Sequence, residues 1–186
     1  MSWIRTYTGG RFYFEELSRN VFDIKDIAHS LANTSRFNGH TKKFYSVAQH
    51  STHVMEYVPH WARYPALLHD AAEAYIGDIP RPLKQLLSIS APYQMDDYED
   101  EILQRILKSL HPELMPLGPW VDVVKEADDR MLLTEARDLL SKGTNGFDTS
   151  IEPYFLPVIP YSPEFAEEEF LRCYNQLINE PTPQAN

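Results

Sequence analysis

His69 and Asp70 stand side by side inside an otherwise apolar segment, Ala66-Leu67-Leu68-His69-Asp70-Ala71-Ala72. A charged group there is costly to bury unless it is paired or bound to a metal. Neighbouring helix residues point about 100° apart, so both side chains can reach one ion lying between their directions. A neutral imidazole beside a carboxylate suits Zn, Mn, Fe, Co or Ni better than Ca or Mg. Two ligands are too few for a site. His50, in Ser46-Val47-Ala48-Gln49-His50-Ser51, and Asp128, in Lys125-Glu126-Ala127-Asp128-Asp129, supply two more. Four ligands drawn from three helices can leave positions on the ion open to water and substrate, the arrangement of a catalytic rather than a closed structural metal. Each residue alone is weak evidence, because histidine is of intermediate burial preference and an isolated helical histidine is commonly structural.

The elements that must position these residues read as helices. Asp23 to Thr34 has Ile24, Ile27, Ala28 and Leu31 at helical spacing, with Asp23 as a cap. A polar loop, Ser35 to Lys43, leads to a helix over Tyr45 to Tyr57, which offers Val47, Ala48, Val54 and Met55 to a core. Trp61 to Ile76 is a second Ala- and Leu-rich helical stretch, with Pro65 in its first turn and Gly77 at its end. Pro80 and Pro82 are expected to keep the next stretch irregular. Tyr93 to Leu110 and Val121 to Leu140 are helical, the former with a solvated acidic face at Asp96, Asp97, Glu99, Asp100 and Glu101. Residues 153 to 163 hold four prolines and form an extended segment, before a last helix over Pro163 to Ile178 and a frayed tail from Glu180. At the N-terminus, aromatic and β-branched residues flank Gly9-Gly10, the pattern of a small β-hairpin. The expectation is all-α: one domain over residues 1–186, a bundle of six or seven helices with a small N-terminal hairpin. Its core spans about residues 23–140, and a Pro-rich segment and helix occupy 151–179.

Composition bounds the function. The chain is 43% hydrophobic and carries a net charge of −10, so it has the makings of a core, and its acidity argues against nucleic-acid polymers as partners. A small anionic substrate remains compatible, since a local pocket can differ in sign from the whole surface. A single cysteine, Cys173, forms no internal disulfide and suits a reducing compartment. No run is apolar enough to span a membrane, and the N-terminus lacks a signal-peptide core. The expected location is the cytoplasm of a bacterium or of a phage-infected cell.

Beyond single residues, longer segments carry a resemblance. These are Ser35-Arg36-Phe37-Asn38-Gly39-His40, Tyr45 to Ser51, the stretch Leu68-His69-Asp70-Ala71-Ala72-Glu73-Ala74-Tyr75-Ile76-Gly77-Asp78-Ile79-Pro80-Arg81-Pro82-Leu83-Lys84, and Lys125 to Asp128. On them, the sequence resembles the HD-domain metal-dependent phosphohydrolases, whose pattern is His…His-Asp…Asp on a helical bundle. It is most similar to their 5'-deoxynucleotidase and phage deoxynucleoside triphosphohydrolase branch. The resemblance implies His50, His69, Asp70 and Asp128 as metal ligands. It implies Glu73 and Asp78 as the acidic pair that positions or deprotonates the attacking water. Glu73 also follows His69 by four residues and Asp70 by three, so on a helix it shares their face. Arg36 matches the arginine that contacts substrate phosphate, for which a guanidinium fork is suited. Lys84 is the next basic candidate, with Arg81 and Lys43 weaker, and Phe37 and His40 are candidates to line the nucleotide pocket. Gln49 stands where many relatives have Glu, a change that can alter metal preference through the ligand it adjoins. The Ala-Asp match favours Asp128 over Asp129, and His53 reads as a supporting residue rather than a ligand.

The implied chemistry is hydrolysis of a small nucleotide's phosphate ester, foremost that of deoxynucleoside 5'-monophosphates. The cofactor is one divalent transition metal (Co, Mn, Zn or Fe). The alternative substrate is a deoxynucleoside triphosphate, with an additional Mg. Two readings of other classes stand beside these. One is a non-catalytic nucleotide-binding protein. The other is a diiron oxygenase, which would need further histidines between Asp70 and Asp128, where only His111 occurs. The resemblance also implies a homodimer or higher homo-oligomer. Substituting Asp70→Ala is expected to lower hydrolysis by about 100-fold or more and to deplete bound metal while the far-UV circular dichroism of the folded chain persists. Full turnover at normal metal content would refute the assignment.

Overall fold

The computed structural model describes residues 2–90, 95–116, 119–148 and 150–180. Its architecture is mostly helical, with eight α-helices and one two-stranded antiparallel sheet among the described residues. The hairpin joins β1 (Trp3–Arg5) to β2 (Arg11–Tyr13), with Trp3 opposite Tyr13. Gly9 takes φ +93° in the turn, which glycine does at no steric cost. Phe12 turns inward and stacks on Tyr75, centroids 4.3 Å apart. Thr8 donates its N–H and its hydroxyl to Asp26, at 2.6 and 3.0 Å, tying the hairpin to the first helix.

Helix α1 (Ile24–Asn33) begins where the Asp23 carboxylate accepts from the Lys25 N–H, and it buries Ile27, Ala28 and Leu31. Helix α2 (Val47–Glu56) is capped by the Ser46 hydroxyl accepting from Gln49 N–H. Every residue from Val47 to Met55 is buried, because α1, α3, α7 and α8 pack around it. The expected helix over Trp61 to Ile76 is broken into α3 (Arg63–Leu67), a turn, and α4 (Glu73–Ile76). The break has a local cause: the His69 imidazole Nδ1 bonds the Ala66 carbonyl at 2.8 Å, the acceptor a continuous α-helix would give to the Asp70 N–H. The chain tightens there into three-residue bonds, Ala71 N–H to Leu68 and Glu73 N–H to Asp70. His69 and Asp70 therefore sit on a turn, not on a helix face.

The prolines at 80 and 82 do not keep their segment irregular. Helix α5 (Arg81–Ser90) starts between them, with Pro82 in its first turn, where the missing N–H costs nothing. Helix α6 (Met95–Leu110) follows; Tyr93, the expected start, lies outside the described residues. Its acidic face is not wholly solvated, since Glu99 is drawn inward to Lys84. Helix α7 (Trp120–Leu139) and helix α8 (Pro163–Asn179), capped by Ser162, match the expected spans within a residue. Residues 181–186 of the tail lie outside the described residues. Eight helices rather than six or seven result from the break before α4 and from the proline-started α5.

The segment between α7 and α8 has no regular structure, so its backbone groups need other partners. The Arg137 guanidinium donates to the carbonyls of Tyr154 and Leu156, at 2.9 and 2.5 Å. Asp138 accepts from Val158 N–H, and the Thr134 hydroxyl from Tyr154 N–H. The continuous core runs from Phe12 to Leu177. No helix among the described residues is long and apolar enough to cross a membrane. Phe170, at the centre of the α8 face, is fully buried; Phe170→Ala is expected to cost about 3–5 kcal/mol in a denaturant titration.

Candidate metal centre

Helix α2 carries five polar side chains, Gln49 to His53, at positions with almost no solvent access. Buried polar groups are destabilising unless they are bonded. Gln49 is bonded away from the site: its amide nitrogen donates to Ile159 O and its oxygen accepts from Tyr161 N–H, both at 2.8 Å. It holds the extended segment onto α2. Thr52 bonds the Gln49 carbonyl, and His53 Nδ1 meets the Tyr45 hydroxyl at 3.2 Å.

His50 is fully buried and held at both ring nitrogens. Nδ1 lies 2.7 Å from Glu135 Oε1, and Nε2 lies 3.1 Å from Asp128 Oδ1. Both carboxylates come from α7, seven residues apart, so they share a helix face. His69 Nε2 lies 3.3 Å from His50 Nε2, and Asp70 Oδ2 lies 3.5 Å from His50 Nε2 and 3.3 Å from His69 Nε2. His50, His69 and Asp128 each offer one ligand atom, all within 4.8 Å of one another. Asp70 borders this trio. Of the adjacent aspartates, Asp128 reaches His50, whereas Asp129 pairs with Lys125 at 2.9 Å and approaches Arg81 at 3.6 Å.

The tautomers make this convergence informative. A carboxylate and a carbonyl only accept, so Nδ1 of His50 donates to Glu135 and Nδ1 of His69 donates to Ala66. With the imidazoles neutral, both Nε2 atoms then present lone pairs to each other and to Asp70 and Asp128. Four acceptors facing one point repel unless positive charge stands among them, which a proton on His50 Nε2 or a metal ion supplies. Two further observations point the same way. Asp70 Oδ2 and Glu73 Oε2 are buried without a hydrogen-bond partner, and orphaned buried oxygens are what a metal or a water bound to it would satisfy. The donor set, two imidazoles with carboxylates, fits a transition metal.

Electrostatics repeat the demand for a cation. Burial pushes Glu73 well above the usual carboxylate range, and Asp70 and Asp78 reinforce it against the opposing Arg36. Asp78 is also raised, chiefly by burial. Asp128 moves the other way: burial opposes its charge, but the bond from His50 and the charges of His50, His69 and Arg36 outweigh that. For His50, burial and Arg36 disfavour the imidazolium, yet Glu135 and Asp128 prevail and lift its pKa to about 9.

Arg36 enters from the loop before α2. Its guanidinium is nine-tenths buried, with Nη1 3.6 Å from Asp70 Oδ2 and Nη2 3.4 Å from Glu135 Oε2, while Nε has no partner. The loop is bent sharply: Phe37 and Asn38 take φ of +53° and +50°, a costly left-handed conformation for non-glycine residues. Phe37 sits half-buried beside the Arg36 guanidinium, 5.7 Å from its ring centroid. The other basic and loop candidates are placed differently. Lys84 pairs with Glu99, and His40 and Lys43 are exposed, with no side-chain contact to the ligand trio among the described residues. His111 pairs with Glu113 at 2.7 Å and lies against Tyr174, apart from the trio.

Glu135 and Tyr45 were not legible as site residues. Glu135 is one of several charges on α7, and Tyr45 enters the sequence reading only as the start of a helix and of the segment Tyr45 to Ser51. The one available signal was the seven-residue step from Asp128 to Glu135, two helical turns on the same face.

No family model matches the chain. It is 39% identical over 185 residues to the uncharacterized protein YfdR of Escherichia coli (strain K12), an alignment spanning 95% of this chain and 96% of that protein. An uncharacterized protein of Rhodobacter capsulatus is 31% identical over 153 residues, spanning 74% of this chain and 73% of that protein.

A pH profile tests the centre. Below pH about 9 the His50 imidazole holds an extra proton, which a metal must displace. Affinity for Co(II) is therefore expected to rise about tenfold per pH unit up to that point and to level off above it, read by competition with a chelator of known pH dependence. A flat profile from pH 7 to 9 would show that the metal displaces no proton from His50 in that range.

Proposed function

The chain belongs to one family with YfdR of Escherichia coli and its Rhodobacter capsulatus relative, and we propose that it is a metal-dependent phosphohydrolase of the HD-domain type, acting on small nucleotides and foremost on deoxynucleoside 5'-monophosphates. The observation that carries this reading is the meeting of two imidazole nitrogens and two carboxylate oxygens beside a buried arginine. His50, His69 and Asp128, with Asp70 beside them, are the residues to hold one divalent transition metal. When bound, such an ion acidifies a coordinated water and neutralises phosphoryl oxygen charge.

The remaining steps belong to the chain's own side chains. Glu73, raised by burial and by its acidic neighbours, is suited to take the proton of the attacking water and to return it to the leaving oxygen. Asp78, similarly raised, assists in orienting that water. Arg36 supplies the fixed positive charge for the phosphoryl group, through a guanidinium whose Nε lacks a partner. Phe37, beside it, is placed to meet the nucleoside. Lys84 has a smaller part than its sequence position implies, because Glu99 already claims its ammonium.

A deoxynucleoside triphosphate, with an additional Mg, is the alternative substrate, since the same ligand set serves either phosphate length. The diiron reading loses support, because His111 is committed to Glu113. The deciding experiment is a panel of deoxy- and ribonucleotides, mono- to triphosphate, assayed with Co, Mn, Zn and Mg and read by chromatography of the products. Nucleoside and phosphate released from deoxynucleoside monophosphates is the expected result. Turnover confined to triphosphates selects the alternative. Tight nucleotide binding without turnover under any metal would overturn the enzymatic reading in favour of a binding protein.

A further inference from the structure

We infer that Glu135 is a positioning residue of this centre, holding the ligand His50 and the arginine Arg36 as one unit. Its carboxylate has no solvent access. Oε1 receives the Tyr45 hydroxyl at 2.8 Å and faces His50 Nδ1 at 2.7 Å, while Oε2 lies 3.4 Å from Arg36 Nη2. Tyr45 and His50 are themselves fully buried. Two elements thus deliver donors to one carboxylate on α7: the loop before α2 through Arg36 and Tyr45, and α2 through His50.

Stability does not account for this arrangement. Removing a carboxylate from water carries a large desolvation penalty, and well-packed apolar residues of similar volume commonly serve a core as well or better. What the carboxylate does supply is orientation. It holds the proton on His50 Nδ1, so that Nε2 is the nitrogen that faces His69, Asp70 and Asp128 and is the one to serve a metal once its own proton is displaced. Its charge makes that imidazole a stronger donor to a cation, as carboxylates behind metal-bound histidines do. Through Oε2 it also sets where the Arg36 guanidinium lies. Because Asp128 grips the other nitrogen from the same helix, one rigid face of α7 determines both the direction of the ligand and the place of the anion-binding group.

The inference concerns metal and anion binding and rests on the proposed centre, but not on hydrolysis. Its test is the affinity of the full chain for Co(II), and for inorganic phosphate in the presence of Co(II), by titration calorimetry on Glu135→Gln, with the melting temperature measured alongside. Glutamine keeps the shape and a hydrogen-bond acceptor while removing the charge. Co(II) affinity is expected to fall about 10- to 100-fold and phosphate affinity to fall as well, both read below the variant's melting temperature, which is expected to drop because buried Arg36 and His50 lose their counter-charge. Unaltered Co(II) affinity in a folded Glu135→Gln would overturn the inference. Should that variant not fold, Glu135→Asp decides: it keeps the charge but draws the carboxylate back from His50 Nδ1 and Arg36 Nη2, and an unchanged Co(II) affinity would again overturn it. The two proposals fail separately. A chain that binds Co(II) through Glu135-held His50 but hydrolyses no nucleotide refutes the phosphohydrolase alone, and an active enzyme indifferent to Glu135 refutes the positioning role alone. An unaltered chain that takes up no metal refutes both.

Discussion

The burial of one imidazole governs the rest of the molecule. His50 lies on a helix surrounded on all sides, and a polar ring in that position is tolerable only when both nitrogens are engaged. Glu135 and Asp128 engage them from a single face of α7. That requirement brings α2 and α7 together at a defined register. Its consequences spread outward: Tyr45 and Arg36 are drawn to Glu135, and the loop before α2 takes a strained left-handed bend to deliver Arg36.

A second polar residue of α2 does unrelated work. Gln49 turns both amide atoms to the extended segment, which crosses to α8 with its other backbone groups bonded by Thr134, Arg137 and Asp138 of α7. Helices α2 and α7 therefore share two tasks, holding the cluster of ligands and holding the strap. Both follow from the general rule that backbone and side-chain polar groups removed from water need partners. The acidic surplus around His50 is one part of the structure where this rule is left unmet by protein atoms alone. Orphaned oxygens on Asp70 and Glu73 and raised pKa values at Glu73 and Asp78 express the same want of positive charge.

Much of the helical content was legible, and for reasons that can be named. Asp23 and Ser162 act as caps, and α7 and α8 lie within a residue of the periodicity read from sequence. Failures cluster where side chains compete with the backbone. The run from Trp61 to Ile76 has an uninterrupted helical composition, yet His69 takes the Ala66 carbonyl and opens a turn. Pro80 and Pro82 read as breakers, although a proline in a first turn starts a helix as readily as it ends one. Lys84 read as a basic candidate for substrate phosphate because its partner Glu99 lies on the next helix, out of reach of any local pattern.

From the sequence alone came the residue types for a metal, the apolar setting of His69 and Asp70, the helical class, and an acidity unsuited to polymeric nucleic acid. Those are properties of composition and local spacing, which the linear chain carries in full. Only the tertiary structure decided that Gln49 serves the strap and that Glu135 stands behind His50, and it set Asp128, which the Ala-Asp match already favoured, against His50. Each of those depends on which face of one helix meets which face of another. Such a meeting is set by packing across many residues of separation, and no local pattern encodes it.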